Sequence, residues 1–118
     1  MAKKKVIKDM IVMPNAVETE RELLAQIIMD NDVIDKVMPY LPNHSVFYDN
    51  FHANIWKGIK EIRKNGDETI DLNTLMAEIP PSIGKNGVGY ELTGITGSYI
   101  GSSNAVSNAK IVYEKWLL

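Results

Sequence analysis

Cysteine is absent from these 118 residues, which excludes disulfides and thiolate-held metal and fits a reducing compartment. Histidine is scarce. His44 and His52 are the only two, and neither belongs to a His-Glu-x-x-His pattern, so the common zinc-hydrolase arrangement has no residues to build it. No apolar run approaches the ~18 to 20 residues needed to cross a bilayer. The basic start Met1-Ala2-Lys3-Lys4-Lys5 has no long apolar segment behind it, so it is not a secretory signal. The sequon Asn43-His44-Ser45 would matter only in a secreted protein, and a cytoplasmic location is the expectation. A dominant charge is missing too: the formal net charge is −2, so the chain as a whole is no electrostatic magnet for nucleic acid or acidic membrane. Strict two-residue alternation is nearly absent, which argues against strands.

What is present is the balance of a soluble globular domain, with 45% hydrophobic and 24% charged residues. The length suits one core and is too short for two ordinary ones.

Residues 1–13 read as a flexible arm. Met13-Pro14 then delivers Asn15, with Glu18 three positions on, a capping-box arrangement ahead of the periodic run Val17, Leu24 and Ile28 with Leu23 and Ile27 beside it. Asn31-Asp32 interrupts that stripe. A second short one follows through Val33, Ile34, Val37, Met38 and Leu41, and Pro39 is expected to end its helix. After a loop at Pro42-Asn43-His44, a third helix carries Phe51, Ile55, Ile59 and Ile62 on one face, extended by Trp56. Asn65-Gly66-Asp67 stops it with a left-handed cap.

Asp71 is the expected N-cap of a fourth helix bearing Leu72, Leu75, Met76 and Ile79, closed by Pro80-Pro81. A short segment around Tyr90, Leu92 and Ile95 lies between glycine-rich links, the second running through Gly94, Gly97 and Gly101. Ser102-Ser103-Asn104 offers a cap for a last helix whose apolar side holds Val106, Ala109, Val112, Tyr113, Trp116 and Leu117. The periodicity therefore predicts a mostly helical domain without internal repeats. The apolar end Trp116-Leu117-Leu118 has no stop signal, so the native chain is expected to continue.

Catalytic chemistry finds little support. Gly84-Lys85-Asn86-Gly87-Val88-Gly89 is glycine-rich, but it lacks the Gly-Lys-Ser/Thr of a P-loop and the third glycine of a dinucleotide fingerprint. These glycines read as turn residues. His52, beside Phe51, is expected to be a partly buried histidine bonded to a neighbouring loop. Glu18, Glu20 and Glu22 spread around the first turns of a helix, where the macrodipole favours them. No enzyme activity, cofactor or metal is expected of this chain. Lys57, Lys60, Arg63 and Lys64 lie at helical spacing and form either a weak DNA-contacting face or a solvated one; Glu61 dilutes the patch.

Several blocks recur in a telling order. They are Pro14-Asn15-Ala16-Val17-Glu18-Thr19-Glu20, Asp30-Asn31, Phe47-Tyr48 with His52 and Ile55-Trp56, Ile70-Asp71-Leu72, Gly87-Val88-Gly89-Tyr90-Glu91-Leu92, and Ser103-Asn104 with Ala109-Lys110-Ile111-Val112. In this order and spacing, from Met13 to Leu118, they resemble the amino-terminal domain of DnaB-type replicative DNA helicases of bacteria and phages. Gly89, Glu91 and Ser107-Asn108 depart from common family choices and point to a divergent version.

The resemblance implies an all-α fold, a compact orthogonal bundle of about six short helices over residues 14–118. A helical hairpin, a linker and an ATPase domain would follow in the parent protein, with ATP and Mg held there. It implies a non-catalytic collar domain that self-associates in a hexameric ring, binds primase and possibly a helicase loader, and contacts DNA weakly or not at all. Carried over by position, Glu18 and Tyr90 match places of collar or primase contact; alternatively Glu18 completes a cap and Tyr90 fills the core. The other readings are a standalone helicase-modulating protein or the helicase-binding domain of a primase, and a small helical nucleic-acid-binding domain.

Overall fold

The computed structural model describes residues 2–66 and 68–118, with side chains from residue 16 onward. Six α-helices follow one another: α1 Ala2–Met29, α2 Ile34–Val37, α3 Asn50–Lys64, α4 Leu72–Glu78, α5 Val88–Thr96 and α6 Ala105–Leu117. Short 3-10 turns flank α2 and precede α3 and α5, and no strand occurs among the described residues.

The stripe on α1 is the foundation of the core. Leu23, Leu24, Ile27 and Ile28 are buried, because steps of three and four place them on one side of the helix. That side packs chiefly on α6 and α5, and less on α3. The start of α1 differs from the expected one. The backbone is helical from Ala2, so α1 begins before the Asn15 cap that the sequence suggested. The Asn15 side chain, and with it the proposed capping box, lies outside the described side chains.

The end of α1 is tied down by Asn31. Its Nδ2 donates to the carbonyls of Ile27 and Ile28 at 3.0 and 3.2 Å, groups that a helix C-terminus leaves without partners. The same amide donates to Ile70 O at 3.1 Å while its Oδ1 accepts from Ile70 N at 2.8 Å. One side chain thus closes α1 and pins the segment leading into α4.

The second apolar stripe folds as a single α-helical turn between 3-10 turns, with Pro39 in the turn that ends it. Val33, Ile34, Val37 and Leu41 are buried as their spacing predicts. On α3 the buried face includes Ile55, Trp56, Ile59 and Ile62, while Phe51 is half-buried. Asp49 caps this helix, accepting from Phe51 N at 2.9 Å and His52 N at 3.1 Å. Gly66 beyond its end has φ 113°, a conformation that glycine adopts without the clash of a Cβ.

Trp56 sits fully buried in the middle of the core. Its indole N–H donates to Leu41 O at 3.1 Å, and its ring meets that of Phe47 at 6.2 Å between centroids, tilted by 43°. The Asp71 cap of α4 forms as a reciprocal box: Asp71 Oδ1 accepts from Thr74 N, and Thr74 Oγ1 accepts from Asp71 N, each at 2.9 Å.

Three expectations need correction. Gly94 lies inside α5, not in a loop, because Leu92 and Ile95 both reach the core only if the helix continues to Thr96. Met76, Trp116 and Leu117 are largely exposed, since the buried faces of α4 and α6 are narrower than their apolar stripes. Asn104 precedes α6 but makes no side-chain cap; its Oδ1 instead accepts from Gln26 Nε2, and its amide donates to Glu22.

Candidate partner-binding surface

Among the three glutamates at the start of the α1 stripe, Glu20 alone turns inward, and it is 1% exposed. Its Oε2 accepts from Tyr48 N at 2.6 Å, and its Oε1 from Asp49 N at 3.3 Å. Nδ1–H of His52, itself buried, donates to Oε1 at 2.9 Å. A buried carboxylate is tolerated only when its oxygens are well supplied with donors, and here both are. The histidine is therefore buried as expected, but its partner lies on α1 rather than in a loop.

This latch fixes the entrance of α3 against α1 and turns the ring of Tyr48 outward to 60% exposure. It presents no activated nucleophile, for Glu20 spends both oxygens on structural donors. Among the described residues no three His, Cys, Asp or Glu side chains come together to hold a metal ion. The sequence pattern hid this role, because Glu20 stood between exposed Glu18 and half-exposed Glu22. The available signal was its spacing from Leu23, Leu24 and Ile27, which puts it on the buried side.

The outward residues of α1 face α5. Glu18 is exposed and Arg21 half-exposed, and both line the same hollow as Glu91. Tyr90 lines the adjoining hollow with Arg21, Thr93 and Gly94. Glu18 and Tyr90, the two residues picked out by position, are thus on one face with Arg21 between their hollows. Tyr90 is 71% exposed and does not fill the core. Ile100, at 88% exposure, borders a further hollow with Glu18, Arg21 and Glu22. Exposed Tyr90 on α5, exposed Ile100 in the link after it and half-exposed Arg21 on α1 put an aromatic ring and an arginine, types favoured at binding hot spots, on one patch.

The four basic residues of α3 are mostly engaged within the domain. Arg63 pairs with Asp35 at 3.2 Å, Lys64 with Glu61 at 3.3 Å, and Lys60 Nζ donates to Pro42 O at 3.0 Å. Lys57 is exposed and makes no such contact among the described residues. Ion pairs at the surface are weak, yet each lowers the field that this face would offer to phosphate.

Among the described residues the domain is built of helices and the turns between them, which places it in the all-α class. The comparisons with known proteins give that class a family. The model of the DnaB-like helicase N terminal domain matches residues 12–114. The crystal structure of the N-terminal domain of DnaB helicase from Mycobacterium tuberculosis superposes with a TM-score of 0.73 at 30% sequence identity, covering 85% of this chain and 69% of that one. No curated protein sequence gives a match. The chain belongs to the DnaB-like helicase N-terminal domain family, the non-catalytic amino-terminal part of replicative DNA helicases.

Proposed function

We propose that this domain works in the collar of a hexameric helicase ring, where it supports ring assembly and receives primase, and in some settings a loader. The observation that carries the reading is the exposed Tyr90, held on the face that Glu18 and Arg21 also border. An exposed tyrosine on a short, well-packed helix loses little conformational freedom on binding, so it suits a contact residue. In the parent protein ATP and Mg belong to a separate ATPase domain, and the whole acts in the cytoplasm on replicating DNA. The net charge of −2 and the paired α3 cations favour protein docking over DNA contact.

Isothermal titration of this chain with the carboxy-terminal domain of the primase encoded in the same genome tests the proposal. Stoichiometric binding that persists as salt is raised is expected. Absence of that binding, together with steeply salt-dependent affinity for short DNA, would replace it with the nucleic-acid reading.

A further inference from the structure

The docking face has a cation at its centre, Arg21, that makes no ion pair among the described residues. Arg21 lines the hollows beside Tyr90, beside Ile100 and beside Phe51, so it stands where they meet. Glu18, Glu22 and Glu91 share those hollows, yet among the described residues none of them pairs with Arg21. Two of these carboxylates are occupied elsewhere. Glu22 Oε2 accepts from Asn104 Nδ2 at 3.3 Å, and Glu91 Oε2 from Asn86 N at 3.4 Å.

The guanidinium has a seat on the neighbouring helix. A Cβ on Gly94 would stand 3.3 Å from Arg21 Nη2, closer than such atoms normally sit. Glycine in a helix interior is unfavourable compared with alanine. At Gly94 its lack of a side chain lets the guanidinium lie against α5, so the fork is oriented by the fold while its N–H groups make no hydrogen bond among the described residues. A planar fork of this kind matches a carboxylate in a bidentate pair.

We propose that Arg21 is the specificity-determining residue of this face and takes an Asp or Glu carboxylate from the protein that docks there, with apolar side chains of that protein covering Tyr90 and Ile100. The inference rests on the docking role proposed above. Charge complementarity selects a protein over a nucleic acid. Glu18, Glu22 and Glu91 around one cation repel an extended polyanion but accept a single carboxylate flanked by cationic side chains.

The test titrates the primase carboxy-terminal domain into wild type, R21A, R21E, R21K, G94A and Y90A, with thermal melting of each. R21A is expected to lower affinity by roughly tenfold or more, R21E further, and R21K to recover only part, because lysine lacks the fork. G94A moves only the far end of a flexible side chain, so it should melt no lower than wild type while binding more weakly. Wild-type affinity in R21A with reduced affinity in Y90A would overturn the role of Arg21 and leave the docking reading intact.

If wild type does not bind primase, the docking reading fails by itself and a second selection still reads Arg21. Helical peptides displayed on phage are selected in parallel on wild type and on R21E. Asp or Glu enriched on the former and Lys or Arg on the latter supports the carboxylate contact; the same consensus on both overturns it. Loss of short-duplex DNA binding in R21A would also overturn it, in favour of a phosphate contact.

Discussion

Glu20 on α1 and His52 on α3, both buried, meet at 2.9 Å, and the same carboxylate gathers the amides of Tyr48 and Asp49. The contact joins residues 32 positions apart and sets where α3 begins. Glu20→Ala would leave those donors without an acceptor, at a cost of about 3 kcal/mol or more. Glu20→Gln keeps the volume and one acceptor oxygen, so about 1–3 kcal/mol is expected. Urea denaturation at neutral pH reads both values. An unchanged midpoint for Glu20→Ala would show that the latch contributes nothing to folding.

Trp56 combines complete burial, the contact with Phe47 and the hydrogen bond to Leu41 O. Trp56→Ala should destabilise by about 3–5 kcal/mol, the usual range for a large core truncation. Trp56→Phe keeps most of the volume but leaves Leu41 O without its donor, and should cost less. Equal denaturation midpoints for Trp56→Ala and wild type would contradict the placement of α3.

The interface between α1 and α6 holds a buried polar contact. Asn108 Nδ2 donates to Gln26 Oε1 at 3.1 Å, and both residues are buried. Asn108→Leu should cost about 1–3 kcal/mol, because Gln26 loses a buried donor. Gln26→Leu also takes the Nε2 donor from Gly101 O and Asn104 Oδ1, so the double change should cost more than Asn108→Leu yet less than the sum of the two single changes, because the shared bond is lost only once. Simple additivity of the two single changes would mean that the bond is energetically silent.

Tyr90 separates folding from binding. At 71% exposure its truncation to alanine should change stability by no more than about 0.5 kcal/mol, as for surface sites generally. Its effect should appear in partner affinity. A large drop in melting temperature with unchanged affinity per folded molecule would return Tyr90 to a structural role.

The apolar spacing was enough to locate most of the helices, because burial follows the 3.6-residue period wherever long side chains face one core. Leu23, Leu24, Ile27, Ile28, Ile55, Trp56, Ile59 and Ile62 are all buried as that period requires. Asp71 and Gly66 announced their cap and stop through residue types that suit those positions. Long-range polar pairing was illegible. Nothing local to Glu20 names His52, and nothing local to Asn31 names the backbone of Ile70.

The face proposed for docking comes from two sources. Glu18 and Tyr90 came from family resemblance, while Arg21, Gly94 and Ile100 assemble only when α1, α5 and the α5–α6 link pack together. Exposure misled at the end of α6, where Trp116 and Leu117 have the period of a core but extend past what the core covers.

Amide chemical-shift mapping of the isotope-labelled chain, titrated with the primase carboxy-terminal domain and separately with short DNA, tests the central claim most directly. The account predicts primase-induced shifts clustered at Glu18, Arg21, Tyr90 and Ile100, with little change on α3. Shifts confined to Lys57, Lys60, Arg63 and Lys64 on adding DNA, and none with primase, would contradict it.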